Sequence, residues 1–245
     1  QANALVATED AFFIVGTGTN TDNNSNDALI VKTDLDGALQ WINFYGTPDF
    51  DEGADIILTQ DNQLAFTGSY GSVSDAALVK IDQDGNQLWE KLFGNAMSDQ
   101  GLGLVQNATG EFIVAGITEV AVSNIDILFA NITADGQTVN WQNELGRNNH
   151  VDWAHDVITT LDGGYAIAGY NALNALFFND VTLIKTQSGG NIFSNRLEGK
   201  VFIDNDNCDF DIGEAGLKDW IVEARSNDLT FYGNTDADGN YAIEI

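Results

Sequence analysis

The sequence predicts an all-β chain: four tandem repeat units of four strands each, then a smaller, partial β-module. Three observations carry this reading. Landmark residues recur at a period of about 50 residues. Short apolar runs are bounded throughout by Gly, Asn and Asp. No segment keeps a helical period of about 3.6 residues over several turns.

The landmarks define the units. An aromatic falls at Trp41, Trp89, Trp141 and Phe193, and a glycine closes an apolar run at Gly16, Gly68, Gly116 and Gly169. An aspartate opens the next run at Asp27, Asp75, Asp126 and Asp180, and a glycine follows the tryptophan at Gly46, Gly94 and Gly146. The units are about 1–48, 49–96, 97–148 and 149–196, within a repeat domain over 1–196. The second unit is the clearest: a strand after Asp51 and Gly53, a second ending at Gly68, a third from Asp75, and a fourth around Trp89.

The third and fourth strands are linked by Asp34–Gly37 in one unit, Asp82–Gly85 in the next and Ala134–Gly136 in the third. Asp-Gly between two β runs predicts a hairpin whose two central residues take positive φ. The competing reading makes Asp34, Asp36, Asp82 and Asp84 calcium ligands, although turn chemistry already accounts for them. A four-stranded unit of this length has the size of a propeller blade. One such sheet cannot bury both faces, so the blades must stack, with the repeated tryptophans as core between neighbours. The text "DGGYAIAG" at 162–169, "DAALVKIDQDGNQLW" at 75–89 and "FGNAMSDQG" at 93–101 resembles repeats of large exported bacterial proteins. That resemblance spans residues 4–196 and implies a propeller-like fold without naming a ligand.

After Phe193 the pattern changes. Gly199, Val201, Phe202, Asp204, Asp206, Asp211, Gly213, Glu214, Gly216, Leu217, Trp220, Val222, Thr235, Asp236, Gly239 and Tyr241 form one spaced set. It resembles the opening of the B-type domains of serine-aspartate-repeat and collagen-binding adhesins. The resemblance implies a partial immunoglobulin-like β-sandwich over 197–245. The acidic loop is one residue shorter than the commonest family form, with Cys208 and Asp209 in place of its Asn/Asp-Gly pair. Lys200 lies where some adhesin domains place the lysine of an isopeptide bond, whose Asn partner would fall in the missing part.

Read without the family, Asp204, Asp206, Asp209, Asp211 and Glu214 crowd five carboxylates into eleven residues. Alternating oxygen ligands ending in Glu suit a hard cation, so calcium (Ca2+) is the expected metal. Asp236 and Asp238 could join that site or form a hairpin turn. Asp152, His155 and Asp156 with His150 suggest a metal cluster, but Asp152 matches the landmark Asp51 and Asp99. A structural or surface role therefore fits the histidines better.

Composition narrows the function. Thirty-seven acidic residues against nine basic ones give a formal charge of −28, which repels nucleic acid and anionic membranes. No apolar run is long enough to span a membrane, no signal peptide is visible, and the single cysteine allows no internal disulfide. No Gly-x-Ser-x-Gly, His-Glu-x-x-His or phosphate-cradling loop occurs. The expectation is a non-enzymatic, secreted or cell-surface structural and adhesion protein with a calcium-stabilised module. Its expected partners are extracellular proteins or glycans, with self-assembly as a further possibility. The alternative is a propeller module of a larger exported protein that binds a glycan or peptide, with Tyr45, Tyr70, Phe177 and Phe178 as rim aromatics.

Overall fold

The computed structural model describes residues 1–121, 124–146, 150–173, 179–192, 196–200, 216–226 and 229–244. Among these residues every regular element is a strand, and no helix is long and apolar enough to cross a membrane. The chain divides into two compact parts, Gln1–Gly190 and Asn191–Ile245.

The first part is a stack of antiparallel sheets in meander order. Blade 1 comprises β1 (Ala2–Ala7), β2 (Ala11–Asn20), β3 (Ser25–Asp34) and β4 (Leu39–Tyr45). Blade 2 comprises β5 (Glu52–Leu58), β6 (Leu64–Tyr70), β7 (Asp75–Ile81) and β8 (Gln87–Phe93). Blade 3 comprises β9 (Asp99–Gln106), β10 (Phe112–Ala121), β11 (Asn124–Ile132) and β12 (Val139–Leu145). The described strands of blade 4 are β13 (His150–Thr159), β14 (Tyr165–Leu173) and β15 (Asn179–Thr186). A parallel bridge between Ile125 and Val151 joins blades 3 and 4.

Three apolar cores lie between the blades. Phe13, Val15 and Ile30 of blade 1 meet Leu64, Phe66 and Val79 of blade 2. Leu78 and Ala65 meet Phe112 and Leu128 across the next junction, and Phe129 and Ile127 meet Tyr165 and Ile167 across the third. Alternate residues of a strand point to opposite faces, so the middle blades must be apolar on both. This is why β6 and β7 are buried along almost their whole length.

Two repeated irregularities explain the landmark residues. Each first strand carries a β-bulge, with Asn3, Ala54, Leu102 or His155 as the extra residue. The bulge presses the carbonyl of the residue two positions before it over the neighbouring second strand. A Cβ at Gly16, Gly68, Gly116 or Gly169 would collide with the carbonyl of Gln1, Glu52, Gln100 or Trp153. The second irregularity is the turn before the fourth strand. Gly85, Gly136 and Gly190 adopt φ of 87°, 72° and 75°. The indole of the preceding blade lies on each: Trp41 on Gly85, Trp89 on Gly136 and Trp141 on Gly190. Tyr45 adds a hydrogen bond from its hydroxyl to the Gly85 carbonyl at 2.8 Å.

The turns differ from the expected hairpin. Among Asp34–Gly37 and Asp82–Gly85 only the glycine has positive φ. The amides of Gly37 and Gly85 return to the carbonyls of Asp34 and Asp82, so each turn spans four residues. The first aspartate holds it closed: Asp34 Oδ1 accepts from the amides of Asp36 and Ala38, and Asp82 Oδ1 from those of Asp84 and Asn86. Asp236 closes Asp236–Gly239 in the same way, accepting from Asp238 and Asn240.

In the second part, β16 (Arg196–Lys200) pairs antiparallel with β19 (Asn240–Glu244), and β17 (Ile221–Ser226) pairs with β18 (Leu229–Asn234). Thr235 ties the loop before β17, donating from its hydroxyl to the Leu217 carbonyl and accepting from the Trp220 amide.

Candidate functional site

A cleft of about 650 Å³ opens between blades 3 and 4, at the end where the turns of β9–β10 and β13–β14 lie. It is lined by the partly exposed Trp141, an edge of the buried Tyr165, and the polar side chains of Asn107, Glu111, Asn131 and Asn140. The two rings stand 6.3 Å apart, and both pack on Phe129.

Local structure sets each polar group. Asn107 Oδ1 accepts from the amides of Thr109 and Glu111, so the β9–β10 turn is wound around this side chain. The turn delivers Glu111 over the sheet. Asn140 is the extra residue of a second bulge, where Asn131 faces Trp141 and Ile132 faces Val139. That bulge aims Asn140 back at the carboxylate. Glu111 Oε1 accepts from Asn140 Nδ2 at 2.9 Å, and Oε2 accepts from Asn107 and Asn131 Nδ2 at 2.9 and 3.2 Å. The Thr109 hydroxyl donates to Oε2 at 3.1 Å. The donors, Asn107 and Asn131 first, hold the Glu111 carboxyl below its ordinary pKa, so it is an anion at neutral pH.

The other blades do something else at these positions. The residue matching Asn131 is Lys32, Lys80 or Lys185. Lys80 Nζ pairs with Asp61 at 2.7 Å and Lys185 with Asp162 at 2.9 Å. Lys32 donates to the Gln83 carbonyl of blade 2. Blade 3 thus replaces a cation and its partner with amides around a carboxylate. The residues matching Asn140 are Gln40 and Leu88, both exposed.

A second group of carboxylates lies on the first strands. Asp55 and Asp156 each follow a bulge, and each accepts from the next amide of its own strand, Ile56 or Val157, at 2.8 Å. Asp55 Oδ2 also accepts from the Leu104 amide of blade 3 at 2.9 Å. Burial, with a contribution from the Asp156 charge, raises the Asp55 pKa. Asp156 is exposed.

Several expected site residues take other roles. Tyr45 and Tyr70 are not rim aromatics: Tyr45 is buried against Phe66 and Tyr70 is 1% exposed, both in the core between blades 1 and 2. Tyr70 lies on β6, which is buried along its whole length, and Tyr45 on the side of β4 turned to blade 2, so each ring packs between the blades. His155 is exposed beside Tyr170 and Trp153, while Asp152 is buried. Among the described residues no three His, Cys, Asp or Glu side chains converge as a metal site. Asp204, Asp206, Asp209, Asp211, Glu214, Cys208, Phe177 and Phe178 lie outside the described residues, as do the side chains of His150 and Lys200.

No family model matches the chain, and no curated protein matches it. Solved structures do. A thermostable family-43 glycoside hydrolase matches with a TM-score of 0.53 at 9% identity, over 98% of this chain and 86% of that one. The β-propeller domain of the Trilobed protease from Pyrococcus furiosus matches with a TM-score of 0.45 at 11% identity, over 96% and 78%. An endo-arabinase from Bacteroides thetaiotaomicron VPI-5482 matches with a TM-score of 0.48 at 12% identity, over 74% and 73%. Its stacked four-stranded sheets and the first of these likenesses make the chain a propeller-like all-β protein. The expectation of a non-enzyme is corrected by the first likeness, because that fold is carried by a glycoside hydrolase. Missing short motifs say little about a fold that can gather reacting groups from separate strands.

Proposed function

We propose that this chain is a carbohydrate-binding propeller module of an exported protein, with its glycan site in the cleft between blades 3 and 4. The observation that carries the reading is the Glu111 cluster, which lines the same cleft as the Trp141 indole. Planar amides and a carboxylate offer paired donors and acceptors to vicinal hydroxyls, and the partly exposed Trp141 indole suits the apolar face of a sugar ring. The fold shared with a family-43 glycoside hydrolase supports a glycan over a peptide. The strong negative charge favours neutral sugars over anionic ones. Calorimetry against neutral oligosaccharides from a glycan array tests it. Glu111→Gln and Asn140→Ala should each weaken binding at least about tenfold, or roughly 1.4 kcal/mol. Unchanged affinity in both variants would remove the cleft from the proposal.

A second reading, glycoside hydrolysis, is favoured by Asp55 and Asp156. A carboxyl raised by burial beside an exposed carboxylate offers an acid and a base within one field. Reducing-sugar release from the bound oligosaccharide tests it, and Asp156→Asn should abolish that release while leaving binding in the cleft intact. The expected calcium at Asp204–Glu214 and export to the cell surface remain parts of the proposal. A melting transition of the full chain that ignores both calcium and chelator would remove the metal.

A further inference from the structure

The two ends of the blade stack are halves of an interface that the chain already builds three times. The face of blade 2 turned to blade 1 consists of Leu64, Phe66, Ala77, Val79 and Ile81, all fully buried. The matching face of blade 3 consists of Phe112, Val114, Leu128, Ala130 and Ile132, also fully buried. The same register positions in blade 1 hold Phe12, Ile14, Leu29, Val31 and Thr33, apolar at four of five. No described blade covers them. Leu5, Ile14, Val31 and Ile42 stand in one cross-strand row over all four strands. Leu5 is 64% exposed and Ile42 46%. Gly37, the turn glycine of this blade, has no atom near its Cβ direction, whereas its three counterparts lie under an indole.

Blade 4 presents the other half. Ile113, Ala115, Ile127 and Phe129 of blade 3 are buried against blade 4. Their counterparts in blade 4 are Ala166, Ala168, Val181 and Leu183, and Val181 and Leu183 are 92% and 74% exposed. This face also departs from the repeat. Where blade 2 has Glu52, Ala54 and Ser69, blade 4 has Trp153, His155 and Tyr170, and the Trp153 and Tyr170 rings stack at 5.8 Å. Aromatic anchors of this kind are enriched where separate chains meet.

We infer that two copies of this chain associate head to tail, the outward face of blade 4 in one copy seating on the outward face of blade 1 in the other. The contact reproduces the blade-to-blade packing inside each chain, and the aromatic substitutions fall on the donor half alone. Such a heterologous contact closes into a ring of two or extends into a longer chain. With a net charge of −28 on each copy, salt should strengthen it by screening their repulsion.

Sedimentation velocity of the full chain at rising concentration, in low and high salt, tests the assignment. The expected result is a species of at least twice the chain mass that grows with concentration and with salt. Ile42→Glu and Leu183→Glu, both at exposed positions, should each give a monomer. An equimolar mixture of the two variants should recover a dimer, because one intact blade 4 face then meets one intact blade 1 face. A wild-type monomer at every concentration would overturn the inference. So would a dimer that survives both substitutions, or two monomeric variants that fail to complement while retaining the wild-type far-ultraviolet spectrum.

Discussion

Blade 2 ends its turn side with an ion pair, Lys80 on Asp61, while blade 3 sets Asn131 on Glu111 in the same register. Around these positions the two blades are near copies. Each has the bulge in its first strand, the glycine opposite, the bulge in its fourth strand, and an indole laid on the next turn. The difference teaches where to look for function in a repeat protein. The shared residues hold the sheet-to-sheet geometry, and a site arises where one copy exchanges its local charge pair for groups that can bind something else.

The comparison breaks most severely if the shared frame is not shared. Gly68→Val and Gly116→Val both force a side chain into a bulged carbonyl, and each should lose at least about 3 kcal/mol. Denaturant midpoints measure this, and a large effect in one blade only would show that the bulges are not equivalent. Next in size is the indole between blades. Trp89→Ala should lose about 3 kcal/mol by emptying the space between Phe112 and Gly136. Gly37→Ala should lose only about 1 kcal/mol, from its positive φ alone, because no indole covers it.

A swap sharpens the comparison directly. Thr109→Asp with Asn131→Lys writes the pair of blade 2 into blade 3. Stability should change by no more than about 1 kcal/mol, since the Asp61 end of that pair is 58% exposed although Lys80 is nearly buried, while oligosaccharide binding in the cleft should disappear from the calorimeter. A variant that still binds would place the site elsewhere.

The smallest expected effect is on pH. Burial raises the folded-state pKa of Asp51, Asp55, Asp99 and Asp126 above the ordinary 3.8. Between 3.8 and those raised values the folded chain holds protons that the unfolded chain has lost. Stability therefore falls as pH rises through that window. Asp82 and Asp135 are lowered by hydrogen bonds from Asn86 and Thr133, and at Asp61 Lys80 and Thr59 outweigh burial. These groups lose stability only below 3.8. The melting temperature should climb from neutral pH toward about pH 4 and then drop. A monotonic fall from neutral pH would contradict the buried acids.

Much of the frame was legible in the sequence. A glycine opposite a bulge and a tryptophan on a turn each tolerate few substitutes, so both repeat visibly. The turn type escapes the sequence because Asp-Gly fits two geometries, and an aspartate that binds the turn amides frees itself from needing positive φ. Tyr45 and Tyr70 defeat a rim assignment because ring chemistry alone does not tell which face of a strand the neighbouring blade will cover. The cleft left one signal. Aligning the repeats on Asp75 puts Lys32, Lys80 and Lys185 in register and exposes Asn131 as the exception. The convergence of Asn107, Glu111 and Asn140 on it depends on a turn and a bulge whose three-dimensional meeting no spacing reveals.

Trp41, Trp89 and Trp141 each lay their indole forward onto the turn of the following blade, which gives the array a direction. Loss of order in one blade withdraws the cover from its successor's turn but leaves the latch of its predecessor intact, apart from the sheet face they share. Fraying should therefore spread unequally along the chain. The amides of the β3–β4 turn, with no lid of their own, should exchange with solvent well before those of the β7–β8 and β11–β12 turns.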